Sequence, residues 1–251
     1  MRNICLYIAY DGTHYSGWQK QHHTKTIQGE IEACLKKLTL QDICLHGAGR
    51  TDAGVHADEM TAHFKLDSRL SCNDIQRALN SMLAEDIRIL DIKEMPIDFH
   101  ARFWAKGKEY HYTLFTGPIM APTKRLYMLH QSKPFTAEPV HECLRLLVGT
   151  HDFSSFENTG TRDKTRTDGK GAVRTLHVAR YIQIDENTFQ FIFIGEGFLR
   201  NMVRNIVGSL LEVGRGKQNV AWFENVFKAQ DRNVAGPTAP AHGLKLLKVI
   251  Y

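Results

Sequence analysis

The chain has 251 residues, long enough for one large domain or two small ones and for a sizeable buried core. Its hydrophobic content of 43% and charged content of 24% are those of an ordinary globular protein, and no run approaches the roughly 18 apolar residues of a membrane helix. The formal charge of +5 suits a nucleic-acid partner without requiring one, and five cysteines without a C-x-x-C pair argue against a disulfide framework or a cysteine zinc site, so a cytoplasmic protein with reduced thiols is expected.

Ile4, Leu6 and Ile8 alternate across residues 3–10 and predict a strand that Asp11-Gly12 ends. A polar loop over 11–25 holds Trp18. Thr26 then offers an N-cap to a helix with Ile27, Ile31, Cys34, Leu35 and Leu38 on one face. A strand is expected over Ile43–His46, another over Met60–Leu66, and a third over Ile87–Ile92. Between the last two, Asn73 or Asp74 is expected to cap a helix with Ile75, Ala78, Leu79, Met82 and Leu83 inward.

Tyr110, Tyr112 and Leu114 alternate in a strand at the junction of two halves. Residues 117–125 read as a loop and Val140–Val148 as a helix. Strands are expected near 176–184 and 188–195. The clearest helix spans 199–213, where Leu199, Met202, Val203, Ile206, Val207, Leu210 and Leu211 form a broad apolar face. Arg200 and Arg204 flank it, and Gly214 is its expected stop. A short helix over 220–229 and a strand over Leu244–Tyr251 close the chain. The pattern is α+β: two α/β halves, residues 1–106 and 107–251, with mostly antiparallel sheets flanked by helices. The Gly-Thr-His triplets at 12–14 and 149–151 are too short to establish a repeat.

The segment Gly47-Ala-Gly-Arg-Thr-Asp-Ala-Gly-Val-His-Ala57 carries the densest chemistry. Asp52 sits among glycines, away from any hydrophobic run. It is either a turn or N-cap residue, or a carboxylate nucleophile toward a substrate that reaches the bare backbone. Arg50 is either a solvated charge or a fork that meets phosphate and fills the place of a flipped base. Tyr110 is either a core aromatic or a stacking platform. Arg204 is either a helix-flank charge or the partner that keeps a carboxylate ionised. The loop 158–174 carries Arg162, Lys164, Arg166, Lys170 and Arg174 against Asp163 and Asp168, and is either a solvated loop or a basic element that contacts an RNA backbone. The 13 histidines match no metal-ligand spacing, and neither a P-loop nor a dinucleotide fingerprint is present, so no metal and no cofactor are expected.

Gly49–Ala57 closely resembles the signature of the tRNA pseudouridine synthase A family. Tyr10-Asp11-Gly12-Thr13 with Gly17-Trp18-Gln19 is similar to its opening motif, and Phe99-His100-Ala101-Arg102 with Tyr110-His111-Tyr112 to its central one. Gly149–Phe153, Met202-Val203-Arg204-Asn205 and Gly236–Pro240 with Gly243-Leu244 extend the resemblance to the C-terminus. It implies an isomerase that needs no cofactor and converts uridine to pseudouridine at positions 38, 39 and 40 in the anticodon stem-loop of tRNA. It implies Asp52 as nucleophile, Arg204 as its ion-pair partner, Tyr110 stacked on the target uracil, and Arg50 holding the extruded nucleotide. It further implies a homodimer of the pseudouridine synthase fold, with a basic RNA cleft between two α/β halves. The rival readings are a non-catalytic tRNA-binding or chaperone module and a nucleosidase that releases uracil.

Overall fold

A computed structural model describes residues 1–158 and 170–251. It divides into two compact units, Met1–Lys108 with Lys245–Tyr251, and Glu109–Leu244.

In the first unit, strand β1 (Arg2–Tyr10) leads through a loop to helix α1 (Ile27–Thr39). Thr26 caps that helix as expected, its hydroxyl accepting the Gly29 amide at 3.3 Å. A two-residue β2 (His46–Gly47) comes next, shorter than the expected Ile43–His46 strand, because only His46 and Gly47 reach the ladder of the long β3 (His56–Leu66). The second helix, α2 (Cys72–Met82), is capped by Ser71 instead of Asn73 or Asp74: the Ser71 hydroxyl accepts the Asp74 amide at 3.1 Å. Ile75, Leu79 and Leu83 are buried, whereas Met82 turns to the surface. Strand β4 (Ile87–Met95) completes the expected order, and the last strand, β10 (Leu244–Ile250), joins this sheet.

The sheet order is β4-β1-β3-β10, with β2 added on β3. Strands β4, β1 and β3 run antiparallel, and β10 lies parallel to β3 with Lys245 opposite His56. Ile4, Leu6 and Ile8 register with Phe64, Ala62 and Met60, all fully buried. Those buried side chains hold β3 firmly in place, so the turn that enters it at His56 starts from a fixed frame.

The second unit holds most of β5 (Gly107–Phe115), the short β6 (Leu129–His130), helix α3 (Glu138–Leu146), and strands β7 (Gly149–Asp152), β8 (Val173–Asp185) and β9 (Thr188–Gly195). Helices α4 (Met202–Gly214) and α5 (Val220–Ala229) complete it. The order is β5-β9-β8-β7, antiparallel across β9-β8-β7. Helix α3 packs on α4, α5 and β8. Along β5, Tyr110, Tyr112 and Leu114 are buried in the expected alternation.

Helix α4 departs from its expected bounds at both ends. Asn201 adopts a left-handed conformation (φ 60°) just before the helix, so Arg200 lies outside it. Gly214 is helical and not a left-handed stop; the Phe135 ring packs where its Cβ would be, at 2.2 Å, and the chain turns at Gly216 (φ 68°). The two Gly-Thr-His triplets differ locally, one lying in the loop after β1 and the other within β7. Both units combine helices with a mostly antiparallel sheet, an α+β architecture. Among the described residues no helix is long and apolar enough to cross a membrane.

Candidate active site

Asp52 lies on the connection between β2 and β3 in the first unit; the turn runs on into a strand, so Asp52 caps no helix. It is half-buried, and its carbonyl accepts the Val55 amide at 3.2 Å. The loop after β1 braces this turn. The Trp18 amide donates to the Thr51 carbonyl at 3.1 Å, the Gly54 amide donates to the Tyr15 carbonyl at 3.4 Å, and the Gly12 amide donates to Nδ1 of His56 at 3.1 Å. The Tyr10 hydroxyl and the Thr51 hydroxyl share a buried hydrogen bond of 2.8 Å.

Two glycines make the close approach possible. Gly17 has φ 95°, and a Cβ there would stand 2.7 Å from the Thr51 carbonyl oxygen, so the residue must be glycine on both counts. At Gly47 a Cβ would fall 2.7 Å from the Trp18 indole, which is 1% exposed. Gly47 is therefore occupied in packing on Trp18, not in admitting a ligand. The Asp52 carboxylate rides on a turn clamped by a second loop, an arrangement that holds the side chain's backbone in a fixed place. Both segments stand out in the sequence as motifs, but their spacing does not show that one clamps the other. Arg50 is exposed on the same turn.

Tyr110 and Arg204 belong to the second unit. Tyr110 is buried on β5 and meets Phe198 edge-on, ring centroids 5.0 Å apart. Arg204 lies in the first turn of α4. Its Nε donates to the Ala239 carbonyl at 2.8 Å, and its Nη1 donates to the Asn201 side chain at 3.2 Å. The Ala239 amide returns a bond of 3.0 Å to the Arg204 carbonyl. Tyr112, two residues from Tyr110 on the same face of β5, donates its hydroxyl to the Pro240 carbonyl at 3.0 Å. Burial pushes the Tyr112 hydroxyl well above the usual tyrosine range, and the nearby Arg204 charge opposes that push. The 239–240 backbone thus serves both β5 and α4.

A buried polar cluster fixes this segment against the helix. The Asn205 side-chain oxygen accepts from Thr238 at 2.6 Å and from Arg232 at 3.1 Å, and its amide donates to the Phe156 carbonyl at 2.8 Å. The Gly236 amide donates to the Ser209 hydroxyl at 3.0 Å. A Cβ on Gly208 would lie 1.6 Å from the Pro237 carbonyl oxygen, so chain and helix backbone touch directly. Nothing in the spacing of Asn205, Ser209, Arg232 and Thr238 marks them as functional candidates, although Asn205 and Thr238 lie within two of the motifs. Of the expected basic loop, Arg162, Lys164 and Arg166 lie outside the described residues. At its edges Lys170 pairs with Glu196 at 2.8 Å, and Arg174 donates to the Gly171 carbonyl at 2.9 Å. Among the described residues no three His, Cys, Asp or Glu side chains are arranged to hold a metal ion.

Comparison with known proteins places the chain among close relatives. A family model described as tRNA pseudouridine synthase matches residues 6–104 and 143–251. The protein called tRNA pseudouridine synthase A 1 in Desulfotalea psychrophila is 70% identical over 251 residues, covering 100% of both chains. Proteins called tRNA pseudouridine synthase A are 40% identical in Clostridium acetobutylicum, covering 100% of both chains, and 43% identical in Geobacillus kaustophilus, covering 100% of this chain and 95% of that one.

Proposed function

The chain belongs to the tRNA pseudouridine synthase family, and from that premise we propose that it isomerises uridine to pseudouridine at positions 38, 39 and 40 of the tRNA anticodon stem-loop, with Asp52 as the nucleophile. The observation that carries the reading is the Asp52 turn itself, a half-buried carboxylate held by backbone bonds from a second loop, in a chain whose relatives match it end to end.

The reaction breaks the N1–C1′ bond of uridine, turns the base, and joins C5 to C1′. Nothing is oxidised and nothing is released to water. The C5 proton must leave and N1 must gain one, so a nucleophile and a proton acceptor suffice. The target base is first unstacked from the stem, at a cost of a few kcal/mol. Stacking on Tyr110 offsets part of that, about 1–3 kcal/mol per base. Arg50 holds the extruded nucleotide through its phosphate. Asp52 has to remain ionised when RNA covers it, and a guanidinium partner, Arg204, keeps it so. The same reading takes the protein as a cytoplasmic homodimer with a basic cleft for the RNA, in keeping with its net charge of +5.

Incubation with unmodified tRNA, followed by pseudouridine mapping at single-nucleotide resolution, tests the reading. Pseudouridine at positions 38–40 is expected. Tight tRNA binding without product would instead mark a binding module, and free uracil would mark a nucleosidase.

A further inference from the structure

Toward the far end of β3 from the Asp52 turn, three imidazoles converge in the first unit. His63 on β3 lies opposite His46 on β2, their rings stacked at 5.2 Å, and His100 meets His63 edge-on at 4.6 Å. With Lys65, Cys44 and Asp42 they line an open cleft of about 420 Å³. His63 is seven residues along β3 from His56, roughly 23 Å at about 3.3 Å per residue.

The surface beside the cleft is aromatic and basic. Phe103 is 76% exposed and its ring lies on His100, centroids 4.2 Å apart. Trp104, 45% exposed, is its neighbour in the chain and meets Phe99 edge-on. Arg102 and Lys65 are exposed cations. Contiguous exposed apolar surface is a feature of interaction sites.

The imidazoles themselves are engaged within the protein. Nδ1 of His63 accepts the Ala101 amide at 3.2 Å, and Nδ1 of His100 accepts the Arg102 amide at 3.1 Å. The N–H of His63 is in turn given to the His46 backbone, so the group left to meet an anion is the exposed Lys65 cation beside the aromatic plate. A cation suits a phosphate; the plate suits an unpaired base, whose π-face stacks whatever its sequence.

We infer that this corner of the first unit is a second nucleotide subsite, which stacks an unpaired base of the substrate RNA on Phe103 and takes a neighbouring phosphate at Lys65. The inference rests on RNA being the substrate. The subsite contributes affinity and RNA placement and leaves the chemistry at Asp52 untouched.

Phe103→Ala and Lys65→Ala, both at exposed positions, test it. Each is expected to weaken equilibrium binding of unmodified tRNA by on the order of tenfold, about the loss of one stacked base, with the single-turnover rate at saturating tRNA within about twofold of wild type. Bound tRNA is also expected to slow alkylation of the exposed Cys44 by N-ethylmaleimide at least about fivefold. Unchanged tRNA affinity in both variants, or a Cys44 rate indifferent to tRNA, overturns the subsite. So does a change in the solution mass of Phe103→Ala, which would make the patch a contact between copies of the chain. Wild-type product formation in the same assay reports on the catalytic reading separately, so either proposal can fail while the other stands.

Discussion

Arg204 and Ala239 are joined twice: the Arg204 Nε donates to the Ala239 carbonyl at 2.8 Å, and the Ala239 amide donates to the Arg204 carbonyl at 3.0 Å. One edge of the guanidinium is thereby committed to the protein backbone, and its direction is set by residues 236–240. That segment is pressed onto α4 at Gly208.

Gly208→Ala therefore tests the positioning of Arg204 without touching it. The new Cβ would fall 1.6 Å from the Pro237 carbonyl oxygen, so the segment has to move. Overpacking of this kind costs about 1–3 kcal/mol. Urea unfolding is expected to show a loss in that range, and the single-turnover rate of the still-folded variant is expected to fall at least about tenfold. A folded variant with the wild-type rate would mean that residues 236–240 do not position Arg204 for the reaction.

Gly17→Ala makes the parallel test in the first unit. A φ of 95° is costly for alanine, and its Cβ would stand 2.7 Å from the Thr51 carbonyl. The backbone penalty alone is about 1–2 kcal/mol. A displaced Asp52 turn should lower the rate at saturating tRNA while leaving tRNA affinity within about twofold. An unchanged rate would show that the brace does not matter to the carboxylate.

His63 gives the protein a sensitivity to mild acid. Burial, then the neighbouring His100 and His46, lower its pKa from 6.5 to about 4. The folded state thus binds the proton less readily than the unfolded chain, and stability present above pH 6.5 is lost as pH falls toward 4. Between pH 7 and 5 the loss from this group is roughly 2 kcal/mol. Urea midpoints of wild type and His63→Gln at the two pH values measure it. The wild type should lose more stability than the variant, and equal losses would contradict the assignment.

Tyr110→Phe keeps the ring and its edge-on contact with Phe198, whereas Tyr110→Ala removes both. If stacking dominates, the phenylalanine variant should retain most activity and the alanine variant should lose on the order of tenfold or more, the range for one stacked base. Comparable losses in both would assign the essential role to the hydroxyl, for example as acceptor of the C5 proton.

Arg204→Lys should fail to restore activity. An ammonium is a single compact charge and cannot both hold the Ala239 carbonyl and present a second donor edge. A fully active lysine variant would show that no forked contact is needed.

Most elements were legible in the sequence because their apolar spacing is strong: Ile4, Leu6 and Ile8 in β1, Tyr110, Tyr112 and Leu114 in β5, and the apolar face of α4. Element ends were less so, for reasons of tertiary contact. Gly214 reads as a stop, yet the Phe135 ring requires glycine inside the helix. Asn201, left-handed before α4, is of a residue type that tolerates that conformation, but the apolar spacing runs through it and hides the break. At the candidate site, Asp52, Arg50, Tyr110 and Arg204 stood out through motif resemblance, but their supports did not. The clamp of Gly12–Trp18 on the Asp52 turn and the Asn205–Thr238–Arg232 cluster join residues distant in sequence. Spacing along a chain is silent about such pairings.

Every other role proposed for the site depends on Asp52 being the nucleophile. The most direct measurement is pseudouridine formation at positions 38–40 of unmodified tRNA by wild type and by Asp52→Asn, a change that keeps the shape of the side chain and removes its charge. Product with the wild type, and none with an Asp52→Asn variant that still folds and binds tRNA, is the predicted result. Pseudouridine formed by the asparagine variant at the wild-type rate would contradict it.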